Sequence, residues 1–564
     1  MLKTARPSFR CASVLGLFCL VFAACAPRTP GESVSTSGAA SQPMRPTVLR
    51  IASALDPPEF HSKGRNLGGS NTIRALVNAG LANQDEKGVT HPYLLEQLPS
   101  RDDGTWIVNA DGTMKTIMRL RPNLKWQDGQ PLTAADLVFG HAAYTDPEIP
   151  FQDNLYERLM SQVVASDDRT LEISWRQIFS RAGSPTHEDL PPLPRHLLGD
   201  LFQQDKTAFV NSSYWTSEEF VHAGPYRIAQ RNLGVALTLQ ANPHFVYGRP
   251  QIDAVEIKVV PDVNAVVAHL LSGEVDFVDV ELGIKQAKVV KDHWETSNAG
   301  QVHTALNKIR RLQFQYRDVP NHQAALTDLR VRKALMHALD REALALSETE
   351  GFSTAADSFF SSDSSLWPRV EQAIAKYPYD PRQTEVLLRE AGWIRGVDGM
   401  FQNPSGQLFD VEVRGSTQEP IIIADQWKQV GINGKPQAPV QSSDPQYKVS
   451  FPGTSLSGGT PGNYDVLSSV TLPTAANRFL GQNEGSYFNP QYDALAERFK
   501  RALTVAEQND LAVQIERLIS VDVATGPLFY QVRPAAARTG VKGIRGLNAD
   551  MATYAFNIWE WRIE

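Results

Sequence analysis

Cysteine is the most reactive side chain in this sequence, and its placement is uneven. Cys11, Cys19 and Cys25 are the only three among 564 residues. Nothing after residue 25 can therefore supply a thiolate nucleophile, an intrachain disulfide or a zinc–thiolate site. The 12 histidines are scattered, with no two of them three to five residues apart, so spacing gives no local metal-binding pair. Asp102-Asp103 and Asp167-Asp168 lie in polar, loop-like stretches. They read as solvated turns, because adjacent side chains rarely face one site. The sequence has no G-x-S-x-G, S-x-x-K, H-E-x-x-H or G-x-x-x-x-G-K-[ST]. No catalytic residue, metal or cofactor is expected. An extracytoplasmic hydrolase whose carboxylates converge only in three dimensions stays open as an alternative.

Cys25 itself carries a chemical expectation. Lys3, Arg6 and Arg10 form a positive start, and an apolar run from Cys11 to Ala24 follows. That run is the length of a signal peptide core and too short to span a bilayer, which needs roughly 20 apolar residues. It ends Phe22-Ala23-Ala24-Cys25, which resembles a bacterial lipobox with Phe22 where Leu is usual. The resemblance implies a signal peptide over 1–24, cleavage before Cys25 and a lipid on its sulfur. An ordinary signal peptide cut after Ala24 is the other reading. The first 24 residues hold three of the 55 basic and none of the 62 acidic residues, so the remainder is net −10. A basic excess is absent, and no nucleic acid partner is expected. Residues 25–47, rich in Pro, Ser, Thr and Gly, read as a flexible tether. The location expected is outside the cytoplasm, lipid-anchored to the membrane, in the periplasm or on the outer face of the cell membrane.

Elements that could position a binding site alternate along the rest of the chain. LRIASAL (49–55), TMKTIMRLR (113–121) and AVEIKVV (254–260) read as strands, the last with Val255, Ile257 and Val259 on one face. Asp128-Gly129 marks a turn. Thr133 with Asp136 forms a capping box, and Leu132 with Leu137 a hydrophobic staple. Asp328 opens a helix with Val331, Leu335, Ala338 and Leu339 on one stripe. Asp380-Pro381 and Asn489-Pro490 each pair a cap with proline at the first helical position. Gly392 is a stop for the first of these. Thr504 with Glu507 opens a helix over 504–520. Mixed strands and helices of this kind predict α/β lobes.

Six of these segments, in order, resemble one family. MRLRPNLKWQDGQPLTAADLVFG (118–140) resembles its strand, Trp-x-Asp-Gly turn and Pro-Leu-Thr-Ala helix start. His222-Ala223-Gly224-Pro225-Tyr226 resembles its Gly-x-Gly-Pro-Tyr, and LSGEVDFVDV (271–280) its Gly-Glu-x-Asp segment. LRVRKALMHALDREAL (329–344), the Tyr377-Pro378-Tyr379-Asp380-Pro381 stretch through Trp393, and Gly485 to Asp493 resemble three more. The family is the oligopeptide/dipeptide-binding family (family 5) of extracytoplasmic solute-binding proteins of ABC importers, here in lipoprotein form. Arg330, Arg332, Asp340 and Arg341 read as ion-pair formers and Asp276 as a strand end.

The resemblance implies an α/β, two-lobed periplasmic-binding-protein-like clamp with mixed sheets in each lobe and a small extra subdomain. Lobe I would combine 48–80, 195–300 and 526–564. The extra subdomain would cover 81–194 and lobe II 305–525. The clamp would act as a monomer, close on an oligopeptide or other small polar solute, and present it to the membrane subunits of an ABC permease. A solute-binding sensor is the minor alternative. By segment position the resemblance implies ligand contacts from Ser53, Ala54, Phe151, Tyr156, Trp215, Ser468, Ser469 and Thr471. Core packing for the aromatics and strand-end capping for the serines are the rival roles.

Peptide binders of this family anchor the ligand's amine with an aspartate in a Trp-x-Ala-Asp-Tyr segment after a Tyr-Asp strand. Here the Asn463-Tyr464-Asp465-Val466 strand would be followed by Thr471 at the tryptophan position and Thr474 near the aspartate position. An ammonium buried without a counter-charge is costly. Either a free peptide N-terminus is not read in the usual way, or another carboxylate such as Glu484 replaces the aspartate. An oligosaccharide or a metal complex is the alternative ligand.

Overall fold

The structure is a computed structural model that describes residues 46–64, 70–151, 155–279, 281–438, 444–548 and 551–564. Cys25 and its lipobox-like surroundings lie outside the described residues. No described helix is long and apolar enough to cross a membrane.

A mixed ten-stranded sheet organises the chain. Its strands, labelled in chain order, are β1 (Val48–Ser53), β2 (Tyr226–Asn232), β3 (Ala236–Ala241), β4 (Ala254–Val259), β5 (Phe277–Val278), β6 (Gly300–Phe314), β7 (Asp410–Arg414), β8 (Asn433–Gln437), β9 (Thr454–Gly459) and β10 (Thr525–Arg538). Their spatial order is β8-β7-β9-β6-β10-β5-β1-β4-β3-β2. β1 runs parallel to β4 and β5, and β7 runs parallel to β8 and β9. The other pairings are antiparallel. Alternation dictates the burial of β4: Val255 and Ile257 are buried while Glu256 points to solvent.

The two longest strands join the lobes. The first half of β6 pairs with the last half of β10, from Gly300–Arg538 to Leu306–Val532. The second half pairs on from Ile309–Tyr530 to Gln313–Thr525. Between Leu306 and Ile309 the register slips. Such a bulge raises local twist and bends the strand, which suits a crossing between two packed bodies. The expected change from lobe I to lobe II at 300–305 falls at the start of one continuous strand, Gly300–Phe314.

Each lobe has its own core. Leu49, Ile51, Phe60, Leu76, Tyr226 and Trp561 pack in lobe I. Leu312, Leu335, Val411, Ile423 and Trp427 pack in lobe II. A four-stranded antiparallel sheet, from Trp106–Val108, Met114–Arg119, Thr170–Trp175 and Met160–Ala165, forms the small subdomain over a third core with Trp126 and Trp175.

Helix starts follow local chemistry. The Thr133 amide donates to the Asp136 carboxylate at 2.8 Å ahead of the helix Ala134–Tyr144. Asp328 caps Leu329–His337, Asp380 caps Pro381–Glu390, and Asn489 caps Pro490–Arg501. Thr504 accepts the Glu507 amide at the start of Val505–Asp522. Each such cap stabilises by roughly 1 kcal/mol.

Three readings of charged residues are corrected. Asp340 is a helix cap for Arg341–Thr349, accepting the Ala343 amide at 2.9 Å. Arg332 is buried and donates to carbonyls of Leu326, Thr327, Asp522 and Val523, so it ties loop backbone where an ion pair was expected. Asp276 precedes β5 and holds Arg50 across the sheet at 2.6 and 2.8 Å. Arg330 and Arg341 do form ion pairs, with Asp328 and Asp357.

One core carboxyl gives a pH signature. Glu516 is wholly buried in lobe II, with Oε2 accepting the Phe359 amide at 3.2 Å. Burial pushes its carboxyl up to about 8. In the unfolded chain it returns to the ordinary carboxylate range. Between these values the folded state holds the extra proton, so stability falls as pH rises through that window. The slope is about 1.4 kcal/mol per pH unit at most. Glu516→Gln should remove it: the melting temperature of the variant, relative to wild type, is expected to rise steadily from pH 5 to pH 8. Parallel curves would refute this.

Candidate ligand cleft

A cavity of about 930 Å³ opens between the lobes. That is within the usual range for sites that bury a small molecule. Its walls come from three regions. Lobe I supplies Asn78, at the end of the helix Ser70–Val77, and Met551 to Trp559 near the C-terminus. The subdomain supplies Tyr93 and the 177–189 stretch, including Phe179, Arg181 and Asp189. Lobe II supplies Thr460 to Asp465 and the end of Pro490–Arg501.

The lobe I wall is set by short-range bonds. Gly224 donates its amide to Val77 O at 3.1 Å, and Ala79 donates to His222 Nδ1 at 3.2 Å. Burial pulls the His222 imidazole down to about 3, so it stays a neutral acceptor. Asn78 Nδ2 donates to the carbonyls of Phe60 at 2.8 Å and Arg74 at 3.0 Å. Tyr93, Tyr247 and Trp559 form a triangle of rings, with centroids 5.5 Å apart for Tyr93–Tyr247, 5.4 Å for Tyr93–Trp559 and 5.6 Å for Tyr247–Trp559.

On the lobe II wall, Lys500 Nζ reaches Asp465 Oδ1 at 2.6 Å and Glu497 Oε1 at 3.1 Å. Burial pulls this ammonium down, but the two carboxylates outweigh it and hold it above its ordinary value. On the subdomain wall, Arg181 meets Asp189 at 2.7 Å. The cleft therefore offers aromatic surface and paired charges, and among the described residues it holds no nucleophile–base pair and no metal-binding cluster.

None of the eight sequence-predicted contacts lines this cavity. Trp215 is buried and donates Nε1 to Phe209 O at 2.6 Å. Tyr156 is fully buried, its hydroxyl donating to Ala182 O at 3.1 Å. Both rings pack in cores with their polar atoms satisfied by backbone, the rival role weighed for the aromatics. Phe151 packs on His61 and Trp215 at 4.8 and 5.3 Å. Ser468 and Ser469 bind the Asp493 carboxylate, and Thr471 donates to Ser468 O. These hydroxyls hold a turn together. Ser53 bonds Leu55 O and Glu281, and Ala54 follows it. Burial and nearby Asp279 push the Glu281 carboxyl up to about 7. Asp279 accepts from Thr72 at 2.7 Å and from Thr553, and Thr553 does line the cavity.

The predicted Asn463–Val466 strand is a 3₁₀ turn, Tyr464–Leu467. The strand that leads to the cleft is β9, and Thr460-Pro461-Gly462 follow its C-terminal end. A Pro-Gly turn at the carboxyl end of a sheet strand was the available signal. Glu484 does not line the cavity. It lies in the field of Arg311, which is buried in lobe II and pulled down to about 10 by that burial.

Comparison with known proteins places this geometry in context. The model of the middle region of the bacterial extracellular solute-binding proteins, family 5, matches residues 102–476. The oligopeptide-binding protein AppA of Bacillus subtilis is 23% identical, with 99% of each chain covered. The structure of AppA from Bacillus subtilis in complex with a nonapeptide superposes with a TM-score of 0.64 at 22% identity, covering 92% of this chain and all of the other. NikA from Brucella suis in complex with Fe(III)-EDTA superposes with a TM-score of 0.72 at 17% identity, with 92% and 100% covered.

Proposed function

We propose, from the premise that this chain belongs to the family 5 bacterial extracellular solute-binding proteins, that its cleft captures a short oligopeptide. The protein is a substrate-binding component of an ABC importer and not an enzyme, and it works outside the cytoplasm. The observation that carries the peptide reading is the cavity whose walls are shared by both lobes and the subdomain. AppA of Bacillus subtilis, similar over the whole length, is an oligopeptide-binding protein.

Closure needs no covalent step. A ligand that touches both walls favours the closed arrangement by its differential affinity alone. The bulged crossing of β6 and β10 concentrates backbone change in a few residues, as hinges do. A monomer suffices, and the closed form is what the permease would read. Cys25 is the proposed lipid attachment point, with residues 26–47 as the tether. At ~0.8 kcal/mol per buried methylene, several acyl chains hold a protein on a membrane durably.

Native mass spectrometry of gently purified protein tests the ligand. A heterogeneous set of short peptides, one per protein molecule, is expected. A single sugar or metal complex across varied growth media, with no peptides, would overturn the peptide reading.

A further inference from the structure

Away from the cleft, lobe II reaches across to lobe I through an aromatic ring. Phe352 packs at the edge of the lobe I core that holds Val266, Leu270, Trp294 and Ala536. Its backbone belongs with lobe II. Left-handed residues Glu350 and Gly351, with φ of 50° and 79°, end the helix Arg341–Thr349 and return the Phe352 amide to Thr349 O at 2.9 Å. The chain then runs beside β10, where Tyr530 donates its amide to Thr354 O at 3.3 Å and Ala356 donates to Leu528 O at 3.1 Å. Leu528 packs in the lobe II core.

Charge follows the same contact. Lys285, Lys288 and Lys291 recur at three-residue spacing on the lobe I helix Ile284–Ser297. Lys291 Nζ stands over the Phe352 ring, 5.3 Å from its centroid. Glu348 lies in the field of Lys285, and Lys288 in that of Glu350. Lys291, Trp294, Val302 and Phe352 border a notch of about 350 Å³, so the contact is incompletely packed.

Strand alternation puts this contact on the far face of the hinge. Ala535 and Ala537 of β10 pack in the core with Met551 and Tyr554, and Met551 lines the cleft. Ala536, between them, packs in the core with Trp294. Successive strand residues point to opposite faces of a sheet. A rotation about β6 and β10 that brings the cleft walls together therefore draws Phe352 away from Lys291 and Trp294.

Resting on the two-lobed closure proposed above, we infer that Phe352 and Lys291 set ligand affinity from outside the cleft. Their contact holds the open arrangement and is given up on closure. Apparent affinity is lowered by the extra weight of the open state, for every ligand alike. Weakening the contact tightens binding, and filling the notch with a larger ring loosens it.

The test compares full-length wild type with Phe352→Ala, Lys291→Ala and Phe352→Trp, at positions that do not line the cleft. Dissociation constants are measured for a pool of random-sequence pentapeptides. Single-molecule energy transfer between dyes on Gln162→Cys and Gln491→Cys, both exposed positions, in a Cys25→Ser background reads the closed fraction without peptide. Phe352→Ala is expected to bind about tenfold more tightly, with a higher closed fraction. Lys291→Ala, at an exposed position, is expected to keep the wild-type melting temperature and to bind about threefold more tightly. Phe352→Trp is expected to move both readouts the other way. Alanine variants that bind and close as wild type does, or that bind more weakly, would overturn the inference and leave the peptide reading standing. If wild type retains no pentapeptide, the peptide reading falls, and the peptide-free closed fractions still decide the contact.

Discussion

Replacing Gly224 by alanine is expected to destabilise the protein by about 3 kcal/mol, the upper range for forcing extra volume into a packed site, and to abolish ligand retention. A Cβ on Gly224 would stand 2.6 Å from Asn78 N and closer still to the Val77 carbonyl carbon and oxygen. These are backbone atoms at a helix end and cannot swing aside. The Gly224–Val77 hydrogen bond, and the bond from Asn242 Nδ2 to Gly224 O at 2.8 Å, would both be strained. Asn78, which lines the cleft, would move with the displaced turn. The glycine of the His-Ala-Gly-Pro-Tyr motif thus acts through close backbone approach and touches no ligand. Thermal unfolding with peptide retention reads both effects. A melting temperature within a degree of wild type would refute the close-contact explanation.

Replacing Cys25 by serine is expected to move the whole population from the membrane fraction to the soluble fraction. The sulfur is the atom that would carry the lipid, and hydroxyl cannot substitute for it in the lipobox reading. Detergent phase partitioning, with intact-mass measurement of the purified protein, reads the change. The wild-type mass should exceed that of the chain from residue 25 by the attached lipid, and the variant should lack that increment. Equal partitioning of both proteins would support an ordinary signal peptide.

Features set by neighbouring residues were legible in the sequence. Asp328, Asp380, Asn489 and Thr504 cap the helices expected of them, because a cap is satisfied within three residues. Alternation in β4 and the apolar stripe Val331, Leu335, Ala338 and Leu339 gave the buried faces directly. Family membership was legible too, since the motifs record turns and close contacts that the fold requires. Features set by distant partners were not. Arg332 meets carbonyls some 190 residues away, which no local pattern announces.

The cleft was the least legible part. Trp215 and Tyr156 sit in segments near the ligand region, yet their side chains turn into cores. Segment position locates a loop, whereas only packing decides which way a ring points. The family resemblance placed a strand at Asn463–Val466, but Gly462 has a φ of 77° and turns the chain there. That turn sends Asp465 to the cavity and leaves Ser468 and Ser469 to bind Asp493.

Closure of two lobes on an unaltered ligand is tested most directly by small-angle X-ray scattering. The protein is first stripped of ligand, then titrated to saturation with the species identified by native mass spectrometry, and the ligand is recovered intact afterwards. The radius of gyration should fall on saturation, with a stoichiometry of one and no change in ligand mass. An unchanged radius at full occupancy, or a ligand recovered cleaved, would contradict a clamp that works by non-covalent closure.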